Sequence, residues 1–277
     1  MTARLLDNNR HARQYAVMDL ELTDRLVLIT GSSAGIGRAI AAAFVAEGAR
    51  VILNARTSET LEAVHQELGA DRTYVVAGDV SDGESAQALA AAVDRIGPLD
   101  ILVNNVGIFG VKPFVEITDE EWLHSFNVNV VGNVRLIRHF LPGMLERNFG
   151  RIVNISSECG VRGFGAMAHY ATTKAAQLGL TQSVAALTKG HDVTVNSVLP
   201  GPTWTEGVDE YMNGVAEQQG ISPEQAAKDY FVQTEPDSLL QRFIAPEEVA
   251  QAVVTAVANP AINGASIRVE GGLIRSL

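Results

Sequence analysis

The chain has 277 residues, of which 47% are hydrophobic and only 6% aromatic, and its formal net charge is −11. That charge argues against a nucleic-acid partner, which needs a basic face, and no run reaches the ~18 apolar residues of a membrane span. Cys159 is the only cysteine, so no intramolecular disulfide forms and nothing demands an oxidising compartment; the expected location is the cytoplasm.

Residues 1–20 carry Arg4, Arg10, His11 and Arg13 without an apolar central block, which does not read as a secretory leader. A mobile N-terminal extension is expected there, with an organelle-targeting peptide as the other reading and Met18 as an alternative start. Alternation begins at residue 26. LVLIT at 26–30 reads as a buried strand and 38–47 as the helix after it; RVILNA at 50–55 is followed by a helix over 58–68. TYVVAGDV at 73–80 is a third strand, 84–96 a helix and LDILVNN at 99–105 a fourth strand. RIVNISS at 151–157, VTVNSV at 193–198 and ASIRVE at 265–270 supply the rest. Apolar strands separated by helices imply a parallel sheet covered on both faces, in one α/β domain over 21–277. The stretch 206–243 breaks the rhythm: it is more polar, holds Pro223 and Pro236, and has no convincing strand. It reads either as solvent-exposed helices or, because it follows the C-terminal end of a strand, as an active-site lid.

The first strand runs straight into Thr30-Gly31-Ser32-Ser33-Ala34-Gly35-Ile36-Gly37. Glycines let this turn tighten, and free N–H groups at the helix start attract an anion, so the strand–turn–helix reads as a dinucleotide's pyrophosphate site. The second strand ends in Ala55-Arg56-Thr57, with no Asp or Glu between Val51 and Ser58. A carboxylate there would hold the ribose of NAD, whereas arginine suits the 2′-phosphate of NADP. NADP(H) is therefore preferred, with NAD(H) kept open because Arg56 can also be a solvated strand-end charge. Tyr170-Ala171-Thr172-Thr173-Lys174 lies in a helix-compatible run, where four residues advance ~6 Å and return to the same face. Tyrosine and lysine can share a cleft, although the spacing alone is common.

Taken with Asn104-Asn105-Val106-Gly107 and Ser157, these motifs closely resemble the short-chain dehydrogenase/reductase family, over roughly residues 20–277. The resemblance implies a doubly wound Rossmann-type sheet of about seven strands, assembly as a homodimer or homotetramer, and NAD(P)-dependent chemistry on a small-molecule alcohol or carbonyl. It also implies residue roles. Tyr170 matches the general acid/base, Lys174 the lysine that contacts the nicotinamide ribose and favours tyrosinate, and Ser157 the serine that hydrogen-bonds the substrate oxygen. Asn129, opening Asn129-Val130-Val131-Gly132, matches the asparagine of a water relay, with Asn127 as the runner-up and helix-interior hydrogen bonding as the ordinary alternative. Gly31, Ser33, Gly35, Ile36 and Gly37 form the phosphate turn. Asp79 and Val80 match the adenine contacts, although Asp79 can instead cap the next helix. Asn105 and Gly107 match the segment lining the adenosine ribose, Val106 standing where the family usually has alanine. Pro200, Gly201, Thr203 and Thr205 match the loop that seats the carboxamide and a phosphate. Ser33 and Ala34 lack the basic residue of some NADP users, which weakens the NADP preference.

A free tyrosine titrates near ~10, so use as a base at neutral pH requires ~4 kcal/mol of preferential stabilisation of its phenolate. An ammonium and an oxidised nicotinamide ring nearby would supply it. Phe109, Phe164, Trp204 and Tyr211 are expected to edge the cleft and favour an apolar or aromatic substrate, the alternative being core or subunit-interface positions. Glu158 and Cys159 follow the serine and can face the pocket, but Cys159 has no activating partner. His124, His139, His169 and His191 show no metal-ligand spacing, so no metal is expected. A cofactor-sensing or structural protein on the same fold is the competing class; the intact Asn129, Ser157, Tyr170 and Lys174 set favours an enzyme.

Overall fold

Successive strand residues point to opposite faces, and in this chain that sorts the apolar side chains into two cores. Val27 and Ile29 pack into one, Leu26 and Leu28 into the other; Val51 and Leu53 divide from Ile52 in the same way. Each large side chain buried like this contributes ~1.5–3 kcal/mol. The computed structural model describes residues 19–275, so the expected N-terminal extension lies outside the described residues except at its last two positions.

The elements follow as β1 (Leu26–Thr30), α1 (Gly35–Ala46), β2 (Arg50–Asn54), α2 (Glu59–Leu68), β3 (Thr73–Val75), α3 (Gly83–Ile96), β4 (Ile101–Asn104), α4 (Asp119–Phe126) and α5 (Gly132–Glu146). They continue as β5 (Gly150–Ile155), α6 (Cys159–Arg162), α7 (Ala168–Leu187), β6 (Val193–Pro200), α8 (Glu206–Gln219), α9 (Pro223–Gln233), α10 (Pro246–Ala258) and β7 (Ser266–Val269). The seven strands form one parallel sheet in the order β3-β2-β1-β4-β5-β6-β7. Ile40 and Phe44 of α1, Leu61 of α2 and Val253 of α10 cover one face. Leu89 of α3, Leu136 and Phe140 of α5 and Val184 of α7 cover the other. This is the doubly wound Rossmann-type arrangement. Its strand order reverses between β1 and β4, which opens a crevice at the C-terminal edge of the sheet. No helix of the described residues is long and apolar enough to cross a membrane.

Several boundaries differ from the sequence expectation, each for a local reason. Helix α1 begins at Gly35, so two glycines of the turn belong to its first turn. Strand β3 ends at Val75 although the apolar run continues, because Asn54 Nδ2 takes the carbonyls of Val76 and Gly78 (3.0 and 3.1 Å) and bends the segment. Ser156 and Ser157 lie past the end of β5. Between α4 and α5 the chain makes a π-helical turn, Asn127–Val131. The segment 206–243 holds α8 and α9, and Met212, Ala216, Ala226, Phe231 and Phe243 give it a small apolar cluster of its own.

Helix α6 crosses α7 with almost no room. A Cβ on Gly160 would stand 2.7 Å from the Lys174 carbonyl carbon and 2.9 Å from Ala175 N. Backbone cannot yield as a flexible side chain does, so Gly160→Ala is expected to cost ~1–3 kcal/mol. A lower urea midpoint with unchanged slope will show this; an unchanged midpoint would mean that the crossing relaxes.

Candidate active site

The glycine turn is shaped by backbone demands. Gly31 and Gly35 have φ of +64° and +53°, a region that side chains disfavour. A Cβ on Gly37 would collide with the Gly31 carbonyl oxygen. Asn105 braces the turn from β4: its Nδ2 donates to the carbonyls of Thr30 (2.9 Å) and Gly31 (3.0 Å), and its N–H donates to Thr30 Oγ1 (2.9 Å). Ser32 ties the turn to β2, where its Oγ accepts from Asn54 N at 2.9 Å. Ser33 and Ile36 are half-buried, and Ile36 packs against the core beneath. No side chain caps the start of α1 at Ala34, yet Gly35 N–H donates to a carboxylate oxygen of Glu206 at 2.8 Å. The turn therefore accepts an anion in this structure, and a pyrophosphate fits its donor set.

Arg56 is exposed just beyond β2. The Asp79 carboxyl is held below its usual range, chiefly by the Ser81 hydroxyl, against burial and with smaller help from Arg56 and His124. Asp79 Oδ1 accepts from Ser81 Oγ (2.6 Å) and Ser81 N (2.8 Å), whereas the cap of α3 is Asp82, which accepts from Ser85 N. The capping alternative for Asp79 is thus filled by another residue. The side chain of Val80 is buried in the α3/α5 core, and its carbonyl accepts from Arg135 Nη1 at 3.0 Å. Gly107 is exposed; a Cβ there would stand 3.3 Å from Lys174 Nζ and 3.6 Å from Asn129 Oδ1.

The fold brings Asn129, Ser157, Tyr170 and Lys174 together from the π-helical turn, the end of β5 and α7. Lys174 Nζ donates to the Ile155 carbonyl at 2.8 Å and lies 5.5 Å from the Tyr170 ring centroid. Burial pulls the Lys174 ammonium down to about 7, with the charges of Cys159 and Glu158 working against that fall. Burial also holds the Tyr170 phenol well above its usual value; a Ser157 hydrogen bond opposes this, while the charges of Glu158 and Cys159 add to it. With these surroundings the Tyr170 phenol keeps its proton at neutral pH. Asn129 is fully buried. Its Oδ1 accepts from Ile108 N (2.8 Å), and its Nδ2 donates to Ile108 O (3.0 Å) and Thr173 Oγ1 (2.9 Å). Its own carbonyl accepts from Gln177 Nε2 at 2.6 Å. It fastens the Gly107 segment to α7.

Next to the serine stands a buried charge cluster. Ser157 Oγ donates to Glu158 Oε2 at 2.5 Å, and Cys159 Sγ and Arg162 Nη2 donate to Glu158 Oε1 at 3.2 and 3.3 Å. Arg162 also donates to Glu235 Oε1 at 2.5 Å, from beyond the end of α9. Glu158 and Glu235 are only 5% and 3% exposed, and one guanidinium is shared between these two carboxylates, which are costly to bury. The Cys159 thiol is pushed up to about 12, first by burial and then by Glu158, so it stays a neutral donor. Glu235 and Arg162 gave no local signal, since 73 positions separate them.

The four expected pocket residues have different neighbours. Phe109 meets the Tyr170 ring edge-on, with centroids 6.1 Å apart, and is 70% exposed. Phe164 lies under Arg162, 5.3 Å from its guanidinium carbon. Trp204 packs on Phe243 in the cluster of the 206–243 segment, and Tyr211 is exposed on α8. Pro200 ends β6, and a Cβ on Gly201 would stand 2.9 Å from the backbone of Glu270. Thr203 Oγ1 donates back to Gly201 O at 2.9 Å. Thr205 sits at the start of α8, with Cγ2 3.1 Å from where a Cβ on Gly35 would be.

Comparison with known proteins agrees with this geometry. Residues 25–215 match the family model for short chain dehydrogenases. The chain is 52% identical to an uncharacterized oxidoreductase of Bacillus subtilis, YvrD, over 94% of its own length and all of that protein's. Its fold superposes on L-sorbose reductase from Gluconobacter frateurii, complexed with NADPH and L-sorbose, with a TM-score of 0.88 at 30% identity. That match covers 94% of this chain and all of the other. An actinorhodin polyketide ketoreductase variant with NADPH gives a TM-score of 0.82 at 32% identity, covering 91% and 98%. The parallel sheet, the braced glycine turn and the Ser157, Tyr170 and Lys174 cluster thus occur together in a chain that belongs to the short-chain dehydrogenase/reductase family of oxidoreductases.

Proposed function

We propose that this enzyme transfers hydride between NADP(H) and an alcohol/carbonyl pair on an apolar or aromatic substrate, with Tyr170 as the acid/base. The observation that carries the reading is the setting of Tyr170: its ring centroid lies 5.5 Å from Lys174 Nζ, with the exposed ring of Phe109 set edge-on against it, and burial favours its protonated form. The bound dinucleotide supplies or accepts the hydride. Gly31, Gly35 and Gly37 let the backbone approach its pyrophosphate, with the N–H groups around Ser33 and Ile36 and the Thr205 hydroxyl as donors. Arg56 holds the 2′-phosphate. Asp79 and Val80 flank the adenine, Asn105 and Gly107 the adenosine ribose, and Pro200, Gly201 and Thr203 the carboxamide. NADPH in the sorbose reductase and ketoreductase structures supports this preference.

In the reductive direction Tyr170 donates its hydroxyl proton to the carbonyl oxygen, and Ser157 stabilises the charge developing there. Ser157 has one proton, now given to Glu158, so it must turn that proton toward the substrate as it binds. Lys174 stabilises the tyrosinate left behind, and Asn129 keeps Lys174 and the Gly107 segment in register. The 206–243 segment closes over the substrate, anchored at Glu235 through Arg162. In this reading the exposed apolar side chains of Phe114, Val115 and Leu123 are what a second copy would cover in a homo-oligomer.

Assaying NADPH and NADH consumption against a diverse panel of carbonyls tests the reading. Turnover restricted to small charged acids would refute the apolar pocket, and no hydride transfer at all would favour a sensor. Tyr170→Phe is expected to lower turnover at least ~10²-fold while NADPH still binds; normal turnover would remove Tyr170 from the mechanism. Arg56→Ala is expected to raise the KM for NADPH roughly ten- to a hundredfold, the scale of one charge-assisted hydrogen bond, and to leave that for NADH nearly unchanged. Equal effects on both nucleotides would discard the 2′-phosphate role.

A further inference from the structure

The glycine turn attracts negative charge, and this chain already provides one. Glu206, the first residue of α8, places Oε2 2.8 Å from Gly35 N and Oε1 3.6 Å from Arg38 Nη1. The contact spans 171 positions of sequence. Helix α1 offers no substitute of its own, since Ala34 supplies no cap and its first turn has no acidic residue. The neighbouring Thr205 packs its methyl on the same glycine. The Glu206 side chain is nevertheless 59% exposed, so it is held by the N–H and the guanidinium and not by packing. Arg38 has a second carboxylate, Glu67 Oε1 at 2.7 Å, and would stay anchored if Glu206 left.

We infer that Glu206 is a further residue of the cofactor site: its carboxylate takes the anion position of the glycine turn, and a dinucleotide binds by displacing it. The inference rests on the dinucleotide reading given above. One N–H cannot serve a carboxylate and a phosphate oxygen together at full strength, and two anions at one helix start repel. Displacing Glu206 therefore subtracts from the affinity of the turn. It also releases the first turn of α8, so the start of the 206–243 segment is freed when the cofactor enters.

Fluorescence titration of the full-length protein with NADPH, and in parallel with NADH, tests this in the wild type and in Glu206→Ala, Glu206→Gln and Glu67→Gln. Thermal unfolding without nucleotide verifies that each variant is folded. Glu206→Ala is expected to tighten NADPH binding about three- to tenfold, the scale of a helix-end anion plus an exposed ion pair. Glu206→Gln keeps an acceptor for Gly35 but no charge, so it should tighten binding by a smaller factor and serves if the alanine variant is unstable. Glu67→Gln changes the charge on Arg38 without touching Gly35 and should leave the Kd within about twofold. An unchanged or weaker Kd in both Glu206 variants overturns the proposal. Equal tightening by Glu67→Gln overturns it too, because the effect would then be general relief of negative charge. If no variant and no wild-type protein binds either nucleotide, the dinucleotide reading itself fails and takes this proposal with it. Binding by the wild type with no response at Glu206 sinks the proposal alone.

Discussion

Thr30 and Asn105 stitch together the ends of β1 and β4. The threonine hydroxyl receives the N–H groups of Asn105 and Val106, and the asparagine amide returns two bonds to the carbonyls of Thr30 and Gly31. At this point the helices that follow the two strands pass to opposite faces of the sheet, so they cannot close the gap between the strand ends. Without the stitch, the glycine turn would be a flexible loop over an open crevice; with it, the turn keeps its N–H groups aimed outward. Gly37 can lie against the Gly31 carbonyl only because it carries no side chain. Ser157 occupies the same edge, one strand further along, because β5 delivers it beside β4.

A second constraint operates at the serine. Glu158 is buried against Ser157, Cys159 and Arg162, and Arg162 reaches on to Glu235. Burial alone would push the Glu235 carboxyl up, while Arg162 pulls it down; the net direction is up. For Arg162 the balance is reversed: burial disfavours its charge, but the hydrogen bond and charges of the two glutamates more than offset this. A cluster that shares one cation between two anions is sensitive to position. It therefore ties the far end of the 206–243 segment to the orientation of one hydroxyl proton.

These two constraints differ in how far a sequence reveals them. The glycine turn is legible because it makes demands on backbone, and only glycine meets them; Tyr170 and Lys174 are legible because four positions fix a helix face. The strand pattern gives the sheet because burial on both faces leaves continuous apolar runs. Strand ends are less legible: the run 73–80 reads as one strand, and only the fold shows Asn54 taking the carbonyls that would have continued it. The Arg162–Glu235 half of the buried cluster was not visible, since a charge pair separated by 73 positions leaves no spacing to read. The aromatic residues Phe109, Phe164, Trp204 and Tyr211 show the same limit. Their apolar character is plain from sequence, but of the four only Phe109 has its ring against Tyr170, while Trp204 packs on Phe243 against the cluster of the 206–243 segment.

An enzyme with a net charge of −11 that takes an anionic dinucleotide has to recruit it locally against its overall field. Free N–H groups at a helix start act over one turn and are little affected by distant charge, which suits this task better than a broad basic surface. The same short range explains why a single glutamate can matter there. Glu206 is one of many acidic residues, but it alone among the described residues accepts from Gly35 N–H, where its charge is in direct competition with a phosphate. Glutamates elsewhere on the surface are screened within about a Debye length. Position relative to the turn, and not total charge, therefore decides which carboxylates oppose the cofactor.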